Sequence, residues 1–331
     1  MPIHYLETGS VDPCTNLAVE QVVLENRREG DWLLLWQNAN TVVIGLNQNT
    51  AEEVDPAFVE AHGITVVRRM TGGGAVYHDL GNLNYSFITD IGNAEELSIR
   101  RFTEPVCRAL AAMGVEAETS GRNDITVDGK KVSGVAQRIA GGRILHHGTL
   151  LFDSDPEMIA GALRADPAKF QSKSAKSVRS RVGMLRDYLP AGTDLRAFWD
   201  RILQELAPEG IVRESLTEAE LGQACALAEE KYRSWDWTWG RSPDYEVRRR
   251  GRFPGGTLDV RMNVHQGSIT DLVFYGDFMA TASQDELAAA LRGVRVERAE
   301  LDAALSRFDL SPVFGGITKA EVLGLMLGEG G

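Results

Sequence analysis

Cysteine is scarce in this chain of 331 residues: Cys14, Cys107 and Cys225 are odd in number and far apart. Such usage argues against a disulfide framework or a CxxC metal site and fits a reducing cytoplasm. Long apolar runs are missing too, and none approaches the ~20 residues that cross a bilayer as a helix. The opening MPIHYLETGS lacks the basic-then-apolar pattern of a secretion signal. Positive charge is not in excess: 35 Lys and Arg against 47 Asp and Glu leave a net charge of −12, which argues against a general nucleic-acid binder. Neither common nucleotide fingerprint occurs, since there is no GxxxxGK[ST] and no GxGxxG between a strand and a helix. The six histidines do not have metal-site spacing. Adjacent His146 and His147 would point to opposite faces of a strand. Internal repeats and low-complexity tracts are absent.

What remains is a foldable chain. Hydrophobic residues make up 43% of it, enough for a core. Its length suggests one large and one small domain, divided here at 1–245 and 246–331. Asn16 can cap a helix whose apolar face is Leu17, Ala18, Val22 and Leu24. Residues 32–36 and 41–46 read as buried strands joined by the turn Asn38-Ala39-Asn40, and 65–69 and 82–89 as two more. Val106, Leu110 and Met113 mark an amphipathic helix, with Pro105 near its start and Gly114 past its end. Residues 124–137 read as a hairpin on the two-residue turn Asp128-Gly129, and 145–152 as a further strand. The Lys-, Ser- and Arg-rich stretch 167–186 reads as a long loop. After the Trp-dense KYRSWDWTWGRSP, Pro243 and the basic RRRGR suggest the boundary. Beyond Arg252 come a hairpin pair and helices near 285–292, 299–307 and 319–327. The architecture is α/β with a small α+β appendage.

Two segments carry candidate chemistry. In RRMTGGGAVYHD, residues 68–79, Gly72-Gly73-Gly74 remove three side chains in a row. Backbone and ligand can then approach closely, and amide N–H groups can turn toward an anion. A bare GGG also serves as a tight turn; the flanking Arg68-Arg69 and His78-Asp79 favour a binding loop. The second segment is GRNDITVDGKKVSGVAQ, residues 121–137. A turn at Asp128-Gly129 pairs Val127 with Lys130, Thr126 with Lys131, Ile125 with Val132 and Asp124 with Ser133. Lys131 then shares a polar face with Thr126, Asp124 and Ser133, which singles it out over Lys130. A hairpin lysine is otherwise a solvated charge. Other basic residues cluster at Arg100-Arg101 and from Lys169 through Lys173, Lys176, Arg179 and Arg181 to Arg186, where they could draw in an acidic partner.

RRMTGGGAVYHDLGN, GRNDITVDGKKVSGVAQ, HHGTLLFDSD and SVRSRVGML occur in this order, and the set resembles the lipoate–protein ligase A family. NLAVE and TVVIG also fit, and SWDWTWGRSP resembles the hinge before that family's C-terminal accessory domain. The resemblance implies an α/β (α+β) fold: the biotin/lipoyl ligase catalytic domain, with a mixed sheet like that of class II aminoacyl-tRNA synthetases. It implies an ATP-dependent, AMP-forming ligase that makes lipoyl-AMP and passes the lipoyl group to a lysine of an acceptor domain. Lys131 would be the catalytic residue. Arg69, Gly74, Ala75, Val76, Tyr77, Asn123, Asp124 and Lys131 would contact ATP or adenylate. Arg69, Thr71, Gly72, Gly73, His78, Lys131, Ala136 and His147 would contact lipoate. Magnesium would arrive with the triphosphate, with Asp124 as its protein contact. The loop carrying Lys173 to Arg181 would close over the adenylate. Expected acceptors are lipoyl domains of 2-oxoacid dehydrogenase E2 subunits and the glycine-cleavage H protein, with no nucleic-acid or membrane partner. A cytoplasmic monomer is expected. Leu46 departs from the family, which often has a basic residue there. The rival readings are an octanoyltransferase working through a cysteine thioester, a biotin ligase, whose GRGRxxR-type loop is missing, and a non-catalytic binding module.

Overall fold

Strand WLLLW shows how the layers form. The computed structural model describes residues 2–91, 99–121, 123–164, 181–239 and 246–328. Trp32–Trp36 is buried along its whole length, as a strand covered on both faces must be. Leu33 and Leu35 pack into one apolar cluster, while Trp32, Leu34 and Trp36 pack into another. The strands are β1 Ile3–Glu7, β2 Trp32–Trp36, β3 Thr41–Ile44, β4 Thr65–Arg68, β5 Val76–His78, β6 Asn82–Asp90, β7 Glu118–Ser120, β8 Asp124–Val127, β9 Lys130–Ala140, β10 Arg143–Leu151, β11 Ile211–Arg213, β12 Val247–Phe253, β13 Gly256–His265 and β14 Ser268–Gly276. The longer helices are α1 Pro13–Asn26, α2 Ile99–Ala112, α3 Leu195–Leu206, α4 Glu218–Leu227, α5 Asp285–Leu291, α6 Arg298–Leu305 and α7 Lys319–Leu327.

The large sheet runs β11-β1-β2-β6-β10-β9-β8-β7. It is mixed: β1 is parallel to β11 and β2, and the other pairs are antiparallel. Helices α2 and α3 cover one face through Val106, Leu110, Phe198 and Ile202. On the other face α1 is sandwiched between this sheet and a small sheet, β4-β3-β5. That position explains why α1 is buried nearly all round. Residues 246–328 build their own antiparallel sheet, β12-β13-β14, and a separate apolar cluster with α5, α6 and α7. Among the described residues no helix is long and apolar enough to cross a membrane.

Several local readings change. The cap of α1 is Asp12, which accepts the Thr15 N–H at 2.9 Å, with Pro13 opening the helix. Asn16 is buried, and its Nδ2 donates to Gln37 O at 2.6 Å and Asn38 Oδ1 at 2.9 Å. Residues 38–40 are not a hairpin turn, because β2 and β3 lie in different sheets. Pro105 is inside α2, whose described residues run from Ile99. The carbonyl that loses its donor belongs to exposed Arg101, where water can take over. The basic RRRGR is strand β12, and the hairpin pair is a three-stranded meander. Lys169, Lys173, Lys176 and Arg179 of the expected long loop, and Pro243 of the expected boundary, lie outside the described residues.

Candidate active site

The hairpin forms as its turn dictates, with Asp128 and Gly129 at φ +51° and +74°. Val127 pairs with Lys130 and Thr126 with Lys131; a bulge then shifts the register, so that Ile125 faces Ser133 and Asp124 faces Gly134. The extra residue inverts the facing of the residues beyond it. Ser133 therefore departs from the expected polar face and is fully buried, opposite the core residue Ile125. Asp124 stays beside Lys131, its Oδ1 2.8 Å from Nζ. Gly134 is what lets the lysine lie there, because a Cβ at that position would stand 2.8 Å from Nζ and 3.0 Å from Cε.

The paired arginines of the glycine loop do different work from that expected of an exposed anion reader. Arg68 is fully buried and donates to Gly45 O, Leu46 O, Gln48 O, Trp237 O, Thr238 O and Thr50 Oγ1 at 2.6–3.1 Å. Leu46 thus takes part through its main chain, and its N–H also donates to Thr71 O at 2.8 Å. Arg69 donates to Thr71 Oγ1, Val43 O, Gly72 O and Gly74 O. Burial lowers its pKa to about 10, which leaves it charged at neutral pH. The three glycines differ from one another. A Cβ on Gly72 would meet Phe278 O at 2.6 Å; Gly73 has φ +87° and its carbonyl oxygen would lie 2.0 Å from a Cβ on Gly45; Gly74 has open space around it.

These parts converge on a cleft of about 570 Å³, counting its open mouth, within the usual range for small-molecule sites. Arg69, Gly74, Ala75, Val76, His78, Asn123, Lys131, Ala136 and His147 line it. Of the remaining candidates, Thr71 sits behind the wall, bonded to His147 and Arg69. Gly72 and Gly73 support the loop, and Asp124 stands beside Lys131. Tyr77, on alternating β5, points into the opposite cluster with Val42 and Ile44, and its hydroxyl donates to Asn40. Leu17, Trp36, Val43, Asn84 and Thr149 line the cleft as well and escaped sequence reasoning, since they come from separate elements.

Behind His147 runs a buried hydrogen-bond chain. Trp36 Nε1 donates to Ser86 Oγ at 2.9 Å, and Ser86 donates to Glu20 Oε1 at 2.6 Å. His147 Nδ1 lies 2.9 Å from the same oxygen, and its Nε2 lies 2.8 Å from Thr71 Oγ1. Ser86 already donates to Glu20, whose carboxylate accepts from the His147 ring through Nδ1, and Arg69 and His147 Nε2 meet on the same Thr71 hydroxyl. Glu20 belongs to NLAVE; an acidic residue within an apolar helix was the signal for it.

His146 faces the other way, stacked on Phe102 with ring centroids 4.8 Å apart and bonded to Gln137. Burial, with Arg69 and His147 adding to it, lowers the His78 pKa from 6.5 to about 3; burial lowers that of His146 well below 6.5 too. The unfolded chain takes up these protons near pH 6.5 and the folded chain does not until far lower. Stability is therefore full above that range and is lost as the pH falls through it. The thermal unfolding midpoint should drop between about pH 7 and about pH 5; a flat midpoint would contradict neutral burial of both rings.

Residues 12–207 match the family model described as lipoyl protein ligase A/B catalytic domain, and 242–326 that of the bacterial lipoate protein ligase C-terminus. The chain is 42% identical to the lipoate-protein ligase LplJ of Bacillus subtilis over 95% of its own length and 97% of the relative's. Among solved structures, it is similar to a bi-partite archaeal lipoate protein ligase from Thermoplasma acidophilum, studied with its E2 lipoyl domain. That likeness has a TM-score of 0.66 and 28% identity, over 75% of this chain and 100% of the other. A lipoate-protein ligase A bound with ATP gives a TM-score of 0.64 at 26% identity, over 72% of this chain and 98% of the other.

Proposed function

Because the chain belongs to the lipoate–protein ligase family, we propose that it activates lipoate with ATP and transfers the lipoyl group to a lysine of an acceptor lipoyl domain. The observation that carries this reading is one cleft with cationic Lys131 and Arg69 on its wall and Leu17, Trp36, Val43 and Val76 beside them. The floor from Gly134, beneath the Lys131 ammonium, through Thr149 and Asn84 to Trp36 crosses β9, β10, β6 and β2, three strand spacings or about 14 Å. A slender acyl chain with an anionic head suits such a site.

In the first half-reaction a carboxylate oxygen of lipoate attacks the α-phosphorus of ATP and pyrophosphate leaves. In the second, the acceptor amine attacks the acyl carbon, AMP leaves and the amine loses a proton. The Lys131 ammonium would stabilise charge on the phosphoryl oxygens and on the acyl oxygen as it becomes tetrahedral. Arg69 would act partly by holding the glycine loop, and Gly74, Ala75 and Val76 would offer main chain to the nucleotide. Thr71 and His147 would shape the acyl end with His78 and Ala136. Among the described residues there is no cluster of three or more His, Cys, Asp or Glu suited to a metal. The donors fit magnesium carried on phosphate oxygens and touched by Asp124, where it would offset the triphosphate charge. We also propose the division at 245/246, the cytoplasm as compartment, a monomer, and E2 and H-protein lipoyl domains as acceptors.

A thioester route finds little support. None of the cysteines lines the cleft, and burial raises the Cys14 thiol to about 11, with a rise for Cys107 as well. The deciding experiment weighs a lipoyl domain after incubation with the chain and lipoate, with and without ATP. A mass gain of one lipoyl group that requires ATP is expected. No gain with ATP present would overturn the ligase reading.

A further inference from the structure

Strand β9 has two edges, and they are not covered by the same neighbour along its length. On one side β8 pairs with Lys130 to Gly134; on the other, β10 pairs only with residues 135–140. The outer edge at Lys131 therefore presents an N–H and a C=O that β10 does not reach. Bare edges of this kind need a partner or water. Residues 181–183 supply the partner: Lys131 N–H donates to Arg181 O at 2.7 Å, and Gly183 N–H donates to Lys131 O at 2.8 Å. Val182 forms a parallel bridge with Lys131. The contact is local to the bulge, the point where the β8–β9 ladder is weakest.

We propose that Arg181–Gly183 is a positioning segment for Lys131, fixing the main chain from which the catalytic ammonium projects. The inference rests on the ligase reading, in which Nζ must sit at the reacting carboxylate and phosphate. Asp124 and the space over Gly134 set where Nζ lies once the main chain is in place; the 181–183 segment holds that main chain. Without it, the residue beside the bulge has a ladder on one side only. Gly183 does not line the cleft, so the effect of changing it would be on geometry and not on ligand contact.

Gly183→Pro removes the N–H that bonds Lys131 O, whereas Gly183→Ala keeps it. An alanine Cβ would stand 3.2 Å from Lys130 Cβ and from Val132 Cγ1, which a shift of a few tenths of an ångström relieves. The assay is acyl-adenylate formation from lipoate and ATP. Gly183→Pro should lower kcat by between about tenfold and a hundredfold with KM for lipoate within about twofold, and Gly183→Ala should restore most of the rate. A proline variant with wild-type kcat, or one in which KM alone rises, overturns the proposal. If the proline variant does not fold, amide hydrogen exchange of the wild-type protein decides: protection at Lys131 is expected, and exchange at the rate of a free edge refutes the proposal. A wild-type protein that forms no adenylate would defeat the ligase reading instead.

Discussion

Replacing Lys131 by alanine should lower acyl-adenylate formation by at least about 10²- to 10³-fold while leaving the protein folded. The ammonium is a preorganised charge: Asp124 holds Nζ at 2.8 Å, and the missing side chain at Gly134 gives it room. In the adenylation step negative charge moves onto the phosphoryl and carboxyl oxygens, and this is where a fixed cation contributes most. Lys131 and its partner Asp124 are each about one-third exposed, so water can reach the carboxylate that the substitution leaves behind. The unfolding midpoint should stay within about 2 °C of wild type. The check is release of pyrophosphate from ATP and lipoate, read alongside thermal unfolding. Wild-type adenylation by the alanine variant would remove Lys131 from the chemistry and leave the cleft without a catalytic cation on its hairpin wall.

Arg68→Met should have the largest effect on stability, at about 3–5 kcal/mol. The guanidinium ties the end of β4 to the 45–50 segment and to Trp237 and Thr238 through six acceptors. Methionine fills much of the volume but donates nothing: Gly45 O keeps the Gln48 N–H and Thr238 O keeps the Thr50 hydroxyl, whereas Leu46 O and Gln48 O lose the guanidinium that bonded them. For a chain of this size the loss corresponds to roughly 4–7 °C in the midpoint. Arg68→Lys should fall between, because three donors on a flexible stem cannot span the positions a planar fork reaches. Adenylation should fall with the folded fraction and not beyond it, because Arg68 does not line the cleft. A methionine variant that is fully stable yet inactive would return Arg68 to the role of an anion reader.

The contrast between the two arginines marks how far residue type alone can be read. Arg68 and Arg69 are adjacent, and both precede three glycines. A one-residue step along the strand turns one guanidinium into a knot of carbonyls outside the cleft lining and the other into its wall. The same alternation separates Tyr77 from Val76 and His78. Pairing from the Asp128-Gly129 turn was legible as far as Lys131, because a two-residue turn fixes the first pairs. The bulge after Thr126 was not, and it moved Ser133 into the core. Helix α7 was legible to the residue, since Thr318 and Glu321 form a capping box at one end and Gly328 closes the other in the left-handed region. The interior place of Pro105 in α2 was not, because a proline looks like an opening residue.

By itself the sequence determined the family, the lysine hairpin and the glycine loop, because these are contiguous motifs whose chemistry is carried by residue type and order. Only the tertiary structure decided what surrounds them. Glu20, Trp36, Ser86 and His147 come from four elements and join in one buried chain. Gly45 meets the loop across a sheet, and Phe278 meets it from the C-terminal part. The edge of β9 at Lys131 is completed by residues some fifty positions away. Local periodicity describes faces and turns within a segment. Which segments then share a face depends on burial and hydrogen-bond satisfaction summed over the whole fold, and that sum is not visible in any one motif.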